Sequence, residues 1–493
     1  MGIVVVDVGT SSLRSILYDG AGKKMYTSQL EYSPTYLEND WVEEDPAHWT
    51  GAMEKTMTEV VSFAKQEGMA ICAVSITSQR SSIIPIGEND QPLCNAIMWQ
   101  DKRVLGIIQE LQPYNDRVFQ LCGSRLNPVF SGSKMAWLRR NRPEIYNKAK
   151  RIVVIPDLLV HTMTDVWATD ATYGSRSLLM NLEKRQWDDE LLSIFGVDRE
   201  KLNEIREPGS IMGYTTEAYE AKTGLPAGVP VISAGGDQQC AALGLGVVKE
   251  GILEVSAGTG AYIIAASDKV PKGLKQDVIC NASAIPGAYV LESSIPTCAS
   301  AFNWMLRLCY GMDETNKKDV LRQVNKEIDE SLNKKSDVLI LPHFQGRGTP
   351  DWNSHARGSF HNLNLGTTRG DIARAMFEGL CMEVAANVSA IAKYIQQTES
   401  IYACGGLVNS PAFTQLLSNI TELPIQVFAD TESTGLGAWM SGAVTMGLYD
   451  DYESAFHAAR ENDSLKHIAV DESALEIYRE KKKAYLAAYN AKA

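Results

Sequence analysis

Three short stretches set carboxylates, hydroxyls and glycines just past an apolar run. Asp7-Val8-Gly9-Thr10-Ser11-Ser12 follows Ile3-Val4-Val5-Val6, Gly235-Gly236-Asp237-Gln238-Gln239 follows the run from Val229 to Ser233, and Ser256-Ala257-Gly258-Thr259-Gly260 repeats the design. Glycine lets backbone N–H groups approach phosphate oxygens closely, hydroxyls add donors, and a neighbouring aspartate can hold the magnesium that travels with a nucleotide. The chemistry this combination serves is phosphoryl transfer. Asp237 is the foremost catalytic candidate, because an attacking alcohol must lose its proton as it meets phosphorus and a positioned carboxylate can accept it. A plain helix cap is the other reading of an aspartate at such a turn. Arg14, one strand further on, can point to the side of the first turn and neutralise a terminal phosphate, or lie on the surface as an ordinary arginine.

Ser75-Ile76-Thr77-Ser78-Gln79-Arg80 ends another apolar run with a polar cluster, which is where ligands bind in open α/β sheets. Trp99-Gln100-Asp101 offers an aromatic wall with polar neighbours, as sugar pockets require. Gly405-Gly406-Leu407-Val408-Asn409, after the strand-like Ile401 to Cys404, could cradle an adenosine group or simply make a tight turn. The chain has no G-x-x-x-x-G-K-[ST] and no G-x-G-x-x-G between a strand and a helix, so it is neither a P-loop nor a dinucleotide-binding sequence. Its seven histidines are dispersed without metal-ligand spacing and read as structural or surface residues.

Strands and helices must hold these groups in place. Leu13 to Tyr18 and Lys24 to Tyr32 read as strands around Asp19-Gly20-Ala21-Gly22, a hairpin pattern. Trp49, Met53, Met57, Val60, Val61 and Ala64 recur at helical spacing after Asp45-Pro46, where Asp suits the cap and Pro the first turn. Ala70 to Thr77 is a nearly continuous apolar strand of the buried type. A similar grammar returns later: strands at Gly251 to Ala257 and Ala261 to Ala266, a helix from about Asp371 to Ile395, and a strand at Ser400 to Cys404 before a glycine turn. No close repeat is visible, yet each half begins with a strand pair around a Gly-Thr turn. That predicts two structurally similar halves, residues 1–246 and 247–493, with the boundary between Leu243 and Gly251. The charged, alanine-rich tail from Asp471 to Ala493 reads as a solvated surface helix.

A chain of 493 residues exceeds what one hydrophobic core supports, so two or more domains with a cleft between them are expected. No apolar run is long enough to cross a bilayer and no secretory signal precedes the first strand, which predicts a cytoplasmic protein without membrane contact. The net charge of −13 argues against a nucleic-acid partner, which would call for a basic face. It also means that any phosphate site must be built locally from backbone donors and a metal. Nine cysteines, scattered and never arranged as C-x-x-C, read as reduced thiols.

Taken in order, these residues resemble the FGGY family of carbohydrate kinases. The resemblance runs over nearly the whole chain and includes Asp40-Trp41-Val42-Glu43-Glu44-Asp45-Pro46, Asn95-Ala96-Ile97-Met98-Trp99-Gln100-Asp101 and Phe130-Ser131-Gly132-Ser133-Lys134-Met135-Ala136-Trp137-Leu138. It continues from Gly358-Ser359-Phe360 to Glu378-Gly379, with Asn362 where the family usually has glycine. The resemblance implies an α/β fold of two ribonuclease-H-like (actin-like ATPase) domains around a central cleft. The N-terminal one would mainly bind sugar and the C-terminal one mainly nucleotide. It implies ATP and Mg2+ as cofactors, a small-molecule carbohydrate substrate, and the homodimer common in the family. By the same resemblance Asp7 assists the metal. Thr10, Ser11 and Arg14 meet the terminal phosphate, Gly258 and Thr259 meet phosphates from the other domain, and Gly405, Gly406 and Asn409 face the nucleotide. Asp237 matches the general base, and domain closure would expel water and align the acceptor hydroxyl.

Within the family, Gln79, Arg80, Trp99, Asp237, Gln238 and Tyr262 look most like the substrate contacts of glycerol kinase. Two positions depart: Ser81 stands where glycerol kinases carry glutamate, and Val129 where they carry tyrosine. Both changes put a smaller side chain on the pocket and remove hydrogen bonds matched to a small triol. The expectation is a kinase for a sugar, polyol or sugar acid larger than glycerol, with glycerol itself as the alternative. A non-catalytic actin-fold nucleotide or sugar sensor is the reading from another class.

Overall fold

The apolar runs of the first half pair into one six-stranded sheet in the computed structural model, which describes residues 1–332, 334–430 and 432–491. Its strands lie in the order Ile211–Tyr214, Pro230–Gly236, Ile71–Ser78, Gly2–Val8, Ser12–Asp19, Lys24–Glu31. Gly2–Val8, Ile71–Ser78 and Pro230–Gly236 are parallel neighbours, and the register sets Asp7 beside Thr77 and Thr77 beside Gly235. Three carboxyl ends therefore open on one edge, where ligands bind in such sheets.

The second half builds a seven-stranded sheet: Ile279–Ala282, Tyr289–Ile295, Ala261–Ser267, Ile252–Ala257, Ser400–Cys404, Ile425–Phe428, Leu465–Ile468. Ile252–Ala257, Ser400–Cys404 and Ile425–Phe428 run parallel, with Ser256 paired to Cys404. The turns at Gly258 and Gly405 thus leave adjacent strand ends. Counting the main strands of each half, both sheets run third, second, first, fourth, fifth, so one architecture is repeated without a visible sequence repeat.

Asp45 caps the helix Pro46–Gln66 by accepting from the Ala47 N–H at 2.9 Å, and Pro46 occupies the first turn. Its buried face of Trp49, Met53, Met57, Val60 and Ala64 covers the first sheet. Each large side chain so buried contributes about 1.5–3 kcal/mol. The helix Arg369–Ile391 starts on a reciprocal Thr368–Asp371 capping pair and ends four positions before the Ile395 expected from periodicity, at an Ala392 cap. Between Val104 and Val197 lies a mainly helical block with its own apolar cluster beside the first sheet.

Two arrangements depart from what was expected of the sequence. The helix Thr434–Thr445 comes from the second half, but its Leu436, Trp439 and Met440 share a core with Ile3, Val5, Ile16 and Ala73 of the first sheet. It crosses the helix Asp237–Gly244 at glycines: a methyl group on Gly437 would stand 1.9 Å from the Cys240 carbonyl oxygen, and one on Gly244 would stand 2.0 Å from that of Ser433. The tail helix Leu475–Asn490 is also anchored, which corrects the expectation of a merely solvated helix. Tyr478, Tyr485 and Tyr489 form one buried face, the Tyr485 hydroxyl donates to Glu383 at 2.7 Å, and Lys481 reaches Glu378 at 2.7 Å. Lys492 and Ala493, the end of that expected helix, lie outside the described residues.

Candidate active site

Gly236 is the amino-terminal cap of the helix Asp237–Gly244, so Asp237 sits in its first turn, immediately past a parallel strand. Its Oδ1 accepts from the Gln238 N–H at 2.8 Å and lies 3.4 Å from Arg80 Nε. The Asp237 carboxyl is raised above the ordinary 3.8 because burial outweighs the attraction of Arg80. A carboxylate so placed is a stronger proton acceptor than one in water.

Asp237 lines a cavity of about 430 Å3 at the seam of the two halves. The six residues that the resemblance gave as substrate contacts all border it: Gln79, Arg80, Trp99, Gln238 and Tyr262 besides Asp237. Thr10 is there too, accepting from Trp99 Nε1 at 3.2 Å, and Ser81 and Val129 form part of the wall. Gln79 is fixed by its amide nitrogen on the Gly9 carbonyl at 3.0 Å. Ser75 and Thr77 do not reach the cavity, since their hydroxyls donate to the carbonyls of Ala438 and Gly235. Asp101 does not either: it is buried, holding Val42 N–H at 2.6 Å and Arg103 at 2.8 Å.

Other wall residues carried no motif in the sequence. Glu292, on the strand Tyr289–Ile295, reaches across the seam to Arg80 at 3.4 Å and Arg176 at 3.6 Å. Burial pushes the Arg176 guanidinium down to about 10, and its central carbon lies 4.4 Å from the centre of the Phe130 ring. The signal available for Glu292 was a lone charge directly after the apolar Val290-Leu291. The Phe130 to Lys134 run is held from within: Lys134 is fully buried, and its Nζ donates to the carbonyls of Pro128 at 2.9 Å and Val129 at 2.6 Å. Trp352 closes another side with φ at +55°, an uncommon backbone conformation for a bulky residue, and its indole donates to the Gln276 carbonyl at 2.6 Å.

Asp7, Ser11, Arg14, Gly258, Thr259, Gly405, Gly406 and Asn409 lie outside the lining of this cavity. Burial raises the Asp7 carboxyl to about 6 against the pull of Arg14, with Asp237 among the like charges that add to the rise. Arg14 pairs with Asp7 and, at 2.5 Å, with Glu432 from the second half. On the second sheet the carbonyls of Gly258 and Thr259 are taken by the N–H groups of Ala299 and Cys298, at 2.9 and 2.8 Å. Gly405, at φ +96°, packs so closely that a methyl group would lie 2.5 Å from the Ala257 carbonyl oxygen, whereas Gly406 faces open space. Asn409 turns back on the loop, donating to the Gly406 carbonyl at 3.2 Å. The two glycine turns thus abut, with open space at Gly406.

The chain matches the family model for the FGGY family of carbohydrate kinases, N-terminal domain, over residues 2–244, and the model for the C-terminal domain over residues 253–446. A glycerol kinase of Natranaerobius thermophilus is 31% identical over 469 residues, covering 92% of this chain and 91% of that protein. Plasmodium falciparum glycerol kinase with ADP aligns with a TM-score of 0.89 at 26% identity, over 99% of this chain and 98% of that one. Gluconate kinase from Lactobacillus acidophilus shares the fold, with a TM-score of 0.90 at 23% identity over 100% of this chain and 98% of that one. The fold is the mixed α/β, two-domain actin-like ATPase arrangement.

Proposed function

We propose that this chain, which belongs to the FGGY family of carbohydrate kinases, phosphorylates a sugar, polyol or sugar acid larger than glycerol with Asp237 as the general base. Family membership makes it a phosphotransferase with an alcohol group as acceptor and ATP as donor. The observation that carries the finer reading is Asp237 itself: a carboxylate of raised proton affinity on the cavity wall, 3.4 Å from Arg80 and close enough to Asp7 for its charge to add to the rise of that carboxyl. A sensor has no need of such a base.

In this mechanism Arg80 and Gln238 hold the acceptor, and Trp99 and Tyr262 flank its carbon skeleton. The acceptor oxygen bonds to the γ-phosphorus as the bridging oxygen departs with ADP, and its proton passes to Asp237 Oδ and later to water. Thr10, Ser11 and Arg14 face the transferred group from the first half, and Gly258, Thr259, Gly405, Gly406 and Asn409 hold the donor from the second. Magnesium asks for one or two carboxylates plus phosphate oxygens, a demand that Asp7 at its strand end fits; the ion would neutralise charge on the phosphates. Ser81 and Val129 leave the acceptor side roomy, which supports a substrate larger than glycerol. The glycerol reading rests on the 31% identical glycerol kinase.

A coupled ADP-release assay over glycerol, tetritols, pentitols, ketopentoses, hexoses and aldonic acids, with a control lacking acceptor, tests this. The expected result is a highest kcat/KM for one of the larger compounds. Glycerol ranking first would overturn the substrate argument, and ADP release with no compound above the control would overturn the kinase reading.

A further inference from the structure

The cavity wall carries three guanidinium groups, Arg80, Arg125 and Arg176, against two carboxylates, Asp237 and Glu292. The pairing uses up both carboxylates: Arg80 lies 3.4 Å from each, and Arg176 lies 3.6 Å from Glu292. Arg125 is left over. Among the described residues it has no hydrogen bond and no ion pair, and its one close partner is the Trp352 ring, with the guanidinium carbon 5.1 Å from the ring centre. Asp116, the carboxylate whose charge it feels, is engaged elsewhere, accepting from Gln276 Nε2 at 2.8 Å.

An arginine stays ionised at any physiological pH, and a charge partly withdrawn from water is costly until it meets a counter-ion. Stacking on an indole uses the face of the guanidinium and leaves its edge of N–H donors free for bidentate contact with an anion. Trp352 is itself held for this task by its +55° backbone and its bond to the Gln276 carbonyl, and Gln276 also receives Asn115 Nδ2 at 3.0 Å from the other half. The platform is therefore built from both sides of the seam. One unmatched positive charge calls for one negative charge, which a carboxylate supplies; a phosphate dianion would overshoot.

Resting on the kinase reading above, we propose that the acceptor is a polyhydroxylated monocarboxylate, an aldonate-type sugar acid, whose carboxylate takes Arg125 as its counter-ion while a hydroxyl faces Asp237. Arg125 is then the residue that separates sugar acids from neutral polyols of equal length.

The test compares matched pairs, D-gluconate with D-glucitol and D-ribonate with ribitol, in wild type, Arg125→Gln and Arg125→Lys. ADP release and direct titration calorimetry of each compound are both recorded. Wild type should favour the aldonate of a pair. The aldonate-to-alditol ratio of kcat/KM should fall about 10- to 100-fold in Arg125→Gln, the worth of one charge-assisted contact, and recover in part in Arg125→Lys. A neutral alditol or ketose outranking every aldonate, or a ratio unmoved in Arg125→Gln, overturns the proposal and leaves the kinase standing. No ADP release above the acceptor-free control with any compound strikes the kinase reading instead, and the calorimetric loss of aldonate binding in Arg125→Gln still decides whether Arg125 is a carboxylate site. A sugar phosphate binding more tightly than the aldonates would overturn the monoanion assignment.

Discussion

Replacing Asp237 by asparagine removes the proposed proton acceptor while keeping the side chain's volume and one oxygen. Arg80 loses an ionic partner at 3.4 Å but keeps Gln239 Oε1 at 3.1 Å and Glu292 at 3.4 Å, so its guanidinium has no reason to swing away. The lost attraction, in a side chain 29% exposed, contributes at most about 1 kcal/mol, and relief of the burial that raises the Asp237 carboxyl works in the opposite direction. The melting temperature should therefore stay within about 5 °C of wild type. Catalysis should not: general-base assistance contributes about 10²- to 10⁴-fold, so the barrier rises by about 2.7–5.4 kcal/mol and kcat falls accordingly. The assay is coupled ADP release at saturating ATP and magnesium with the best acceptor, beside a thermal melt of the same preparation. A variant that melts like wild type and keeps kcat within about threefold would refute Asp237 as the base, because a loss so small lies below what proton transfer contributes.

The pH profile gives a second check. With ATP and magnesium saturating, the acid limb of kcat/KM should stand above the ordinary aspartate value of 3.8, with about a tenfold loss per pH unit below it and no such limb in Asp237→Asn. The sign for stability is the reverse: because the folded-state value is raised, protonation favours the fold, so wild type should gain on Asp237→Asn as pH falls through that value toward 3.8; a gain on raising pH would contradict it. Gly437→Ala puts a methyl group 1.9 Å from the Cys240 carbonyl oxygen, a backbone atom, and must push the helix that starts at Asp237 off its seat. It should destabilise by about 1–3 kcal/mol or more and lower kcat as well; an unchanged melt and kcat would show that the two helices do not hold the base in place.

The fold was legible wherever a strand and its turn are neighbours in sequence. Ile3 to Val6 running into Gly9 and Thr10, and Val229 to Ser233 running into Gly235, announce both the element and its carboxyl end, because a continuous apolar run ended by glycine has few other uses. The docking of Thr434–Thr445 on the first sheet was not announced, since the contact joins segments about four hundred residues apart. Gly435, Gly437 and Gly442 on that helix carried a trace of it. Glycine costs a helix interior about 1 kcal/mol relative to alanine, so three in one helix point to neighbours that leave no room for a side chain. The same logic was available in the tail, where Tyr478, Tyr485 and Tyr489 repeat at spacings that share a helical face; weighed against its lysines, that stripe marks an anchored helix.

The cavity divides along the same line. Asp237, Gln79, Arg80 and Trp99 sit in runs whose polarity changes abruptly at a strand end, so each could be singled out before its neighbours were known. Glu292, Arg176 and Arg125 stand in no such run, and their significance exists only once the halves meet. Arg176 follows a five-residue helix at Ala171–Ser175, Glu292 begins the polar stretch of a strand that opens apolar, and Arg125 precedes the loop that Lys134 pins by its carbonyls. What the three share is charge held at the seam, and the balance there is a property of the assembled wall: Glu292 answers both Arg80 and Arg176 from the opposite half, which leaves Arg80 only partly committed to Asp237. An Arg80 wholly committed to Asp237 would hold that carboxylate ionised and make it a poorer base. Burial is what raises the proton affinity of Asp237 against the pull of Arg80, and the negative charge of Glu292, a residue 55 positions away in sequence that no local pattern connects to it, adds to that rise.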